Sequence, residues 1–508
     1  MLRTRGWLPA FLLLHLVSSR PELQAQGQAA TPGTQVARAV SGDVLRAHLE
    51  FLSDDALEGR ATATRGGALA AKYIAAQFRR LGLQPAGDSG TFYHRVLIIG
   101  LTPAPSLRTL GAAPTTLRYR DDYVLWSMRD EPSVSTRAEA VFVGYGIVAP
   151  EYRWNDYRGV DVKDKIVICL VNDPGLRDST IFKGKILTYY GRWTYKLEEA
   201  ARHGAAGVLL IHSAESATYP WSTVRSSWTG EQVRLERPAT SLVVAGWLDQ
   251  DAAAGLFRSA GADLPALERA AVDPDFTPRA LGLELEAQVA SEVRRSGTFN
   301  VVGRLPGHGA AANDAVLIGG HYDHFGVRSP VDGDSIYNGA EDNASGTAAV
   351  LAAAEAFVRS GVRPGRSVLF MAFAAEESGL LGSQAFAERP TLPLRNLAAV
   401  LNLDEMNLFG RTRDIAALGL EQSSLGALFS RAARVEGLKA TTNLDALLKG
   451  EFFRSDHFSF APVGVPALSL KSGLDYVGHP SGWGQEQWDD YTAKRYHQPS
   501  DNLLPSYT

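Results

Sequence analysis

Carboxylates and imidazoles recur at the ends of apolar runs in the C-terminal half of this 508-residue chain. Val316, Leu317 and Ile318 form a short branched run that Gly319 and Gly320 close, and His321, Tyr322, Asp323 and His324 come directly after. Residues 367–374 form a second run, leading into Glu376 and Glu377, and 397–403 a third, ending at Asp404. A His-x-Asp just beyond a strand suits a metal ligand, with His321 bound and Asp323 steering its ring from behind. Asp342 stands at the mouth of an alanine-rich helical stretch, 344–359, whose N-terminal dipole suits an anion. His497 lies in a polar turn with Pro499 rather than on an apolar helix face.

Two imidazoles with Asp342, Glu377 and Asp404 suffice for two divalent ions if one carboxylate bridges. Zinc accepts imidazole nitrogen and carboxylate oxygen together, and in catalytic sites leaves a position for water. Two ions about 3.5–4 Å apart hold a hydroxide between them and polarise the carbonyl it attacks. The base that takes the water proton must not be consumed as a ligand. Neighbouring Glu376 and Glu377 cover both roles, because successive residues at a strand end point in different directions.

These residues need a sheet that delivers them to one rim. In open α/β sheets ligands collect beyond the carboxyl ends of the strands, so the fold expected is α/β: a mixed, mostly parallel central sheet flanked by helices. Val44, Leu45, His48, Leu49 and Leu52 share one helical face, which makes His48 a half-buried core residue. A second amphipathic run, 69–81, is closed by Gly82 in the C-cap position. Between these helices and the ligand-bearing strands lies a compact β-rich stretch. Its strands are 138–148, 165–171, 207–211 and 240–244, with a helix over 195–203; an acidic, alanine-rich stretch, 252–292, leads back out. His203 and His212 flank element ends there and read as structural.

The expected division is a signal peptide over 1–25, a linker over 26–40, the N-terminal part of the catalytic domain over 41–130, an inserted unit over 131–290 and the catalytic domain proper over 291–508. Arg3 and Arg5, the apolar stretch from Trp7 to Val17 and a small-residue run up to Ala25 are the marks of a secretory signal cleaved after Ala25. No other stretch offers ~20 uninterrupted apolar residues for a stable membrane span. The mature protein is therefore expected to be secreted or periplasmic. A net charge of −4 without a basic run argues against a nucleic-acid partner. The one cysteine, Cys169, has no partner for an intrachain disulfide and sits in an apolar strand as a small hydrophobe. Nothing in the sequence speaks to oligomeric state.

The motifs H-Y-D-H at His321, E-D-N-A-S-G at Glu341, E-E-S-G at Glu376, N-L-D at Asn402, S-D-H at Ser455 and Y-H-Q-P-S-D at Tyr496 resemble, in order and spacing, the co-catalytic two-zinc exopeptidases of the aminopeptidase and glutamate carboxypeptidase type. L-E-G-R at Leu57 is also similar, and the middle stretch resembles the protease-associated domain often inserted in these enzymes. The resemblance implies two Zn2+ ions (manganese or cobalt are other candidates for these ligand types): His321 and Asp404 holding one, Glu377 and His497 the other, with Asp342 bridging. It implies Asp323 orienting His321, Glu376 as general base, Tyr496 stabilising the carbonyl oxygen, and a cis peptide at Asp342–Asn343. Glu341 and Glu405 are departures that add acid next to the ligands. The activity expected is removal of N-terminal residues from peptides by a two-metal-activated water. The alternatives are a carboxypeptidase or dipeptidase of the same fold, for which Arg454 is a candidate carboxylate binder, a glutaminyl cyclase-like transferase, and a non-catalytic receptor-like protein on the same scaffold.

Overall fold

The computed structural model describes residues 31–507, apart from 112, 113 and 238. The signal peptide expected over 1–25 lies outside the described residues. The chain divides into two compact units: one holds the described residues up to Leu97 with Gly297–Leu444 and residues from Glu451 on, the other Ile98–Ser296 with Asp445–Gly450.

In the first unit the strands run in the order Lys439–Thr441, Asp414–Leu418, Ala467–Ser472, Leu397–Leu403, Ala315–His321, Ser367–Phe373 and the end of Arg279–Leu305. The central four are mutually parallel, and the strands next to them on either side, Asp414–Leu418 and the end of Arg279–Leu305, are antiparallel. This is the mixed, mostly parallel sheet expected from the sequence. The parallel strands are apolar along nearly their whole length because both faces are covered.

One face carries the helices Gly42–Leu52, Arg65–Arg80 and Ser345–Ser360, packed through Leu49, Leu52, Ile74, Phe78, Leu351 and Phe357. Ser41 and Thr64 cap the first two, their hydroxyl oxygens accepting from Val44 N at 3.4 Å and Gly67 N at 3.3 Å. The alanines of Ser345–Ser360 let that helix lie close to both the sheet and its helical neighbours. Gly346 at its first turn is obligatory: a Cβ there would come within 2.2 Å of Leu403 O.

Residues 31–40, expected to be linker, instead contain the helix Pro32–Arg38, with Val36 and Ala37 buried in the same core. Thr31 caps it and Pro32 opens it. So short a helix lacks the periodic run that identifies one in a sequence, and it owes its stability to packing.

In the second unit Ser133–Phe142, Ile166–Leu170, Gly207–His212 and Val244–Asp249 form a parallel array in that order. Tyr123–Ser127 flanks it on one edge and residues 279–290 of Arg279–Leu305 on the other, both antiparallel. One of its strands, Tyr123–Ser127, therefore precedes residue 131. The last parallel strand begins at Val244, where 240–244 was expected, because Val244 to Leu248 is the stretch buried on both faces. The stretch 252–292 forms much of the helices Gln250–Ser259 and Leu264–Ala270 and the start of a strand. His203 stacks on Tyr157, His212 lies 2.9 Å from Tyr219 O, and Cys169 is fully buried. Among the described residues no helix is long and apolar enough to cross a membrane.

His48 is 5% exposed, with Nδ1 2.8 Å from the Tyr73 hydroxyl and Nε2 without a hydrogen bond among the described residues. Burial lowers its pKa to about 4, against the pull of Glu355. A depressed histidine contributes stability that is complete above its unfolded value near 6.5 and is lost as pH falls through the folded value. Lowering pH from 7 to 4 is expected to cost the first unit on the order of 3 kcal/mol through this ring. Urea denaturation of wild type and His48→Gln at both pH values checks it; the variant should lose less stability on acidification.

Candidate metal centre

Each chemistry-bearing side chain leaves the sheet at the carboxyl end of a parallel strand or in a turn packed against that end. His321 is the last residue of Ala315–His321, Glu376 and Glu377 come after Ser367–Phe373, and Asp404 after Leu397–Leu403. The register sets His321 opposite Phe373, so the acidic turn after Phe373 lies beside the imidazole.

His321 Nε2 lies 3.2 Å from Asp342 Oδ1, 3.4 Å from Asp404 Oδ1 and 3.9 Å from Glu376 Oε2. The other oxygen of Asp342 is 3.1 Å from His497 Nε2, and Glu377 Oε2 is 3.6 Å from the same nitrogen. Asp342 thus turns one oxygen to each imidazole, the disposition a bridging carboxylate needs. Two donor groups result, His321 with Asp342 and Asp404, and His324 with Asp342 and Glu377, the donor atoms in each lying within 4.8 Å of one another. Mixed nitrogen and oxygen donors converging in this way fit zinc.

The electrostatics agree. Burial opposes ionisation of Asp342, yet contacts to His321 and His497 hold its pKa well below the ordinary range. Burial likewise works against a charged His321, but Glu376, Asp342 and Asp404 hold that ring well above its ordinary value. His497 rises to about 9 against burial, through Glu377 and Asp342. Asp404 falls to about 2 against burial, through Lys471 and His321. With only protons available, the imidazoles take them up; the carboxylates demand positive charge at this spot, which cations would supply.

The turn bearing Asp342 is held from several sides. Asp501 is fully buried and accepts from the backbone N–H groups of Glu341 and Asp342, each at 3.1 Å, while Asp501 O accepts from Ala340 N at 2.9 Å. The Asp342–Asn343 bond is cis, as the resemblance implied. Asn343 Nδ2 donates to Leu403 O at 2.9 Å, and its Oδ1 accepts from Gly346 N and Glu405 N. Thr347 Oγ1 donates to His321 O at 2.6 Å. Ser455 Oγ donates to Asp404 Oδ2 and itself accepts from Asn402 Nδ2 at 2.6 Å.

Behind the site, the fully buried Arg60 donates to four backbone carbonyls, those of Leu52, Tyr322, Asn338 and Gly339. Burial lowers its pKa to about 10, opposed by Asp323, Asp501, Asp342 and Glu377. Glu341, one of the extra acids, faces the Tyr507 hydroxyl at 3.4 Å and Arg495 at 3.9 Å. Glu405 pairs with Lys471. Arg454 is exposed.

One sequence expectation needs correction. The Asp323 carboxylate does not orient His321; the ring's Nδ1 lies 3.1 Å from the Asp323 backbone carbonyl. The carboxylate accepts instead from Glu376 N at 3.0 Å and Thr62 Oγ1 at 3.1 Å. The chain turns after His321, which carries the Asp323 carbonyl to the ring and its carboxylate to the neighbouring strand end. Tyr496 is 37% exposed and stacks on His497 with ring centroids 3.7 Å apart. The remaining expected residues, His321, Asp342, Glu376, Glu377, Asp404 and His497, come together. The supports Asp501, Ser455 and Arg60 carried no expected role, although each belongs to a motif visible in the sequence. His324, the last residue of H-Y-D-H, was also unassigned.

Asp501→Ala should leave the Glu341 and Asp342 amides buried without an acceptor and lower stability by about 2–4 kcal/mol. Equilibrium denaturation checks this; an unchanged midpoint would mean that the turn is held by its other bonds.

Residues 300–505 match the model of Peptidase family M28. The chain is 28% identical to leupeptin-inactivating enzyme 1 of Streptomyces exfoliatus over 211 residues, 40% of this chain and 43% of that protein. It is 31% identical to leucine aminopeptidase 1 of Penicillium rubens over 186 residues, 34% of this chain and 45% of that one. The chain thus spans less than half the length of either of these two curated relatives. A solved aminopeptidase from Aneurinibacillus sp. strain AM-1 is 20% identical, with 93% of this chain and 91% of that one covered at a TM-score of 0.46. A zinc aminopeptidase from Bacillus subtilis is 20% identical, with 91% and 89% covered at a TM-score of 0.41.

Proposed function

We propose, starting from the match of residues 300–505 to Peptidase family M28, that the chain is an exported, zinc-dependent aminopeptidase removing N-terminal residues from peptides. The observation that carries this reading is Asp342, with one oxygen toward His321 and the other toward His497. In this reading His321 and Asp404 would hold one zinc and Glu377 and His497 the other, with Asp342 shared between them. Zinc there would supply a Lewis acid for the peptide carbonyl and acidify the attacking water.

Glu376 is the general base. Its carboxylate is 11% exposed and reaches the His321 side of the site, while Asp323 fixes its backbone amide. Burial pushes its pKa well above the ordinary value, against His321 and helped by Glu377, Asp456 and Asp404. A base so raised can take the proton of water as the oxygen attacks, then return it to the departing amine as the C–N bond breaks. Tyr496 donates to the carbonyl oxygen as negative charge develops there. The acids around the site, with Lys471 already paired to Glu405, favour a substrate that brings a positive amino terminus. The export signal expected over 1–25 goes with this reading, and residues 131–290 are read as the protease-associated-like insert.

A dipeptidase or carboxypeptidase is the second reading. It is favoured by Arg328, whose guanidinium lies 4.0 Å above the Phe325 ring, itself edge-on to His497 at 4.6 Å. A cation there could meet a substrate carboxylate.

Glu376→Gln is expected to lower turnover about 10²–10⁴-fold while zinc content stays as in wild type; measured turnover equal to wild type would remove Glu376 from the reaction. Peptides with free and N-acetylated termini separate the two readings. Hydrolysis confined to free amino termini is expected, and cleavage of blocked peptides alone would overturn the aminopeptidase assignment.

A further inference from the structure

We infer that His324 is a direct ligand of the second metal position, beside Glu377, Asp342 and His497. This rests on the two-metal reading above and adds a donor to it.

The His324 side chain is completely buried, and its Nδ1 lies 2.6 Å from Glu377 Oε1. Despite that approach, among the described residues neither imidazole nitrogen of His324 makes a hydrogen bond, and neither does Glu377 Oε1. The oxygen therefore lies off the ring's N–H direction. Two donors so close, with no hydrogen bond between them, are placed to share a third partner. A buried imidazole with no hydrogen bond at either nitrogen forfeits its hydration for one carboxylate contact, and an ion would compensate it. Asp342 contributes the third donor, and all three fall within 4.8 Å of one another.

The ring is also fixed in place. Gly339 adopts a φ of +55°, and a Cβ on it would come within 2.5 Å of His324 Cγ, so this glycine makes room for the imidazole. Phe325 packs against the ring at 4.8 Å, and the His497 ring stands 6.0 Å away. The two metal positions are consequently unlike. One has a single imidazole, His321; the other has two, His324 and His497. Nitrogen-rich sites suit zinc over the oxygen-seeking magnesium and calcium, so the second position is the more zinc-selective of the two.

The test loads metal-free protein with zinc and measures stoichiometry and affinity by calorimetry, with X-ray absorption to count imidazoles on the bound zinc. Wild type should take two zincs that share three imidazoles. His324→Gln should weaken one zinc site about 10–100-fold and leave the other unchanged, with two imidazoles remaining; thermal unfolding of the metal-free proteins confirms that the variant is folded. The wild-type imidazole count decides the matter without any variant. Two zincs sharing only two imidazoles, or wild-type affinities in His324→Gln, overturn the assignment while the two-metal reading stands. Fewer than two zincs on wild type overturns that reading, and this inference with it.

Discussion

The carboxylates of Asp342, Asp404, Glu376 and Glu377 crowd the rim of the sheet, mostly out of water, and their mutual repulsion is the constraint that the surrounding structure answers. Like charges in a poorly solvated space raise one another's pKa unless positive charge stands between them. Here the imidazoles of His321 and His497 are interleaved with the acids, and Asp342 is shared between them. Arg60 lies behind the loops with its guanidinium spent on four backbone carbonyls. It fixes those loops and adds a buried positive field without occupying the rim.

Two acids beyond this set, Glu405 and Glu341, face local partners. Lys471 pairs with Glu405, and Arg495 with Tyr507 faces Glu341. Burial raises Glu405 to about 7, with Lys471 opposing. The acids left facing the imidazoles are those at the strand ends and at the mouth of Ser345–Ser360. Asp501 completes the arrangement from the far end of the chain by binding the very amides that precede Asp342. A residue about 160 positions away in sequence thereby sets where the shared carboxylate points.

Much of this was legible because the signals are local. A buried parallel strand must be apolar along its length, so Ala315–His321, Ser367–Phe373 and Leu397–Leu403 announce themselves, and the residues at and just past their carboxyl ends lie at the rim by construction. Helical periodicity marks Gly42–Leu52 and Arg65–Arg80 in the same way. Pro32–Arg38 was hidden because two turns carry too little pattern, and the core that stabilises it is assembled from distant residues. The role of Asp323 was misread for a similar reason. Spacing alone does not say whether the carbonyl or the carboxylate of a residue two positions on will reach a ring.

The order of residue types along the chain determined the sheet class, the strand ends that carry ligands, and the acid and imidazole inventory, since each depends on periodicity and side-chain chemistry over a few neighbours. Tertiary structure alone decided which oxygen faces which nitrogen, that Asp501 and Arg60 hold the loops, and that His324 points inward beside Glu377. Those outcomes depend on angles and approaches between segments distant in sequence, and a linear pattern carries no record of direction in space.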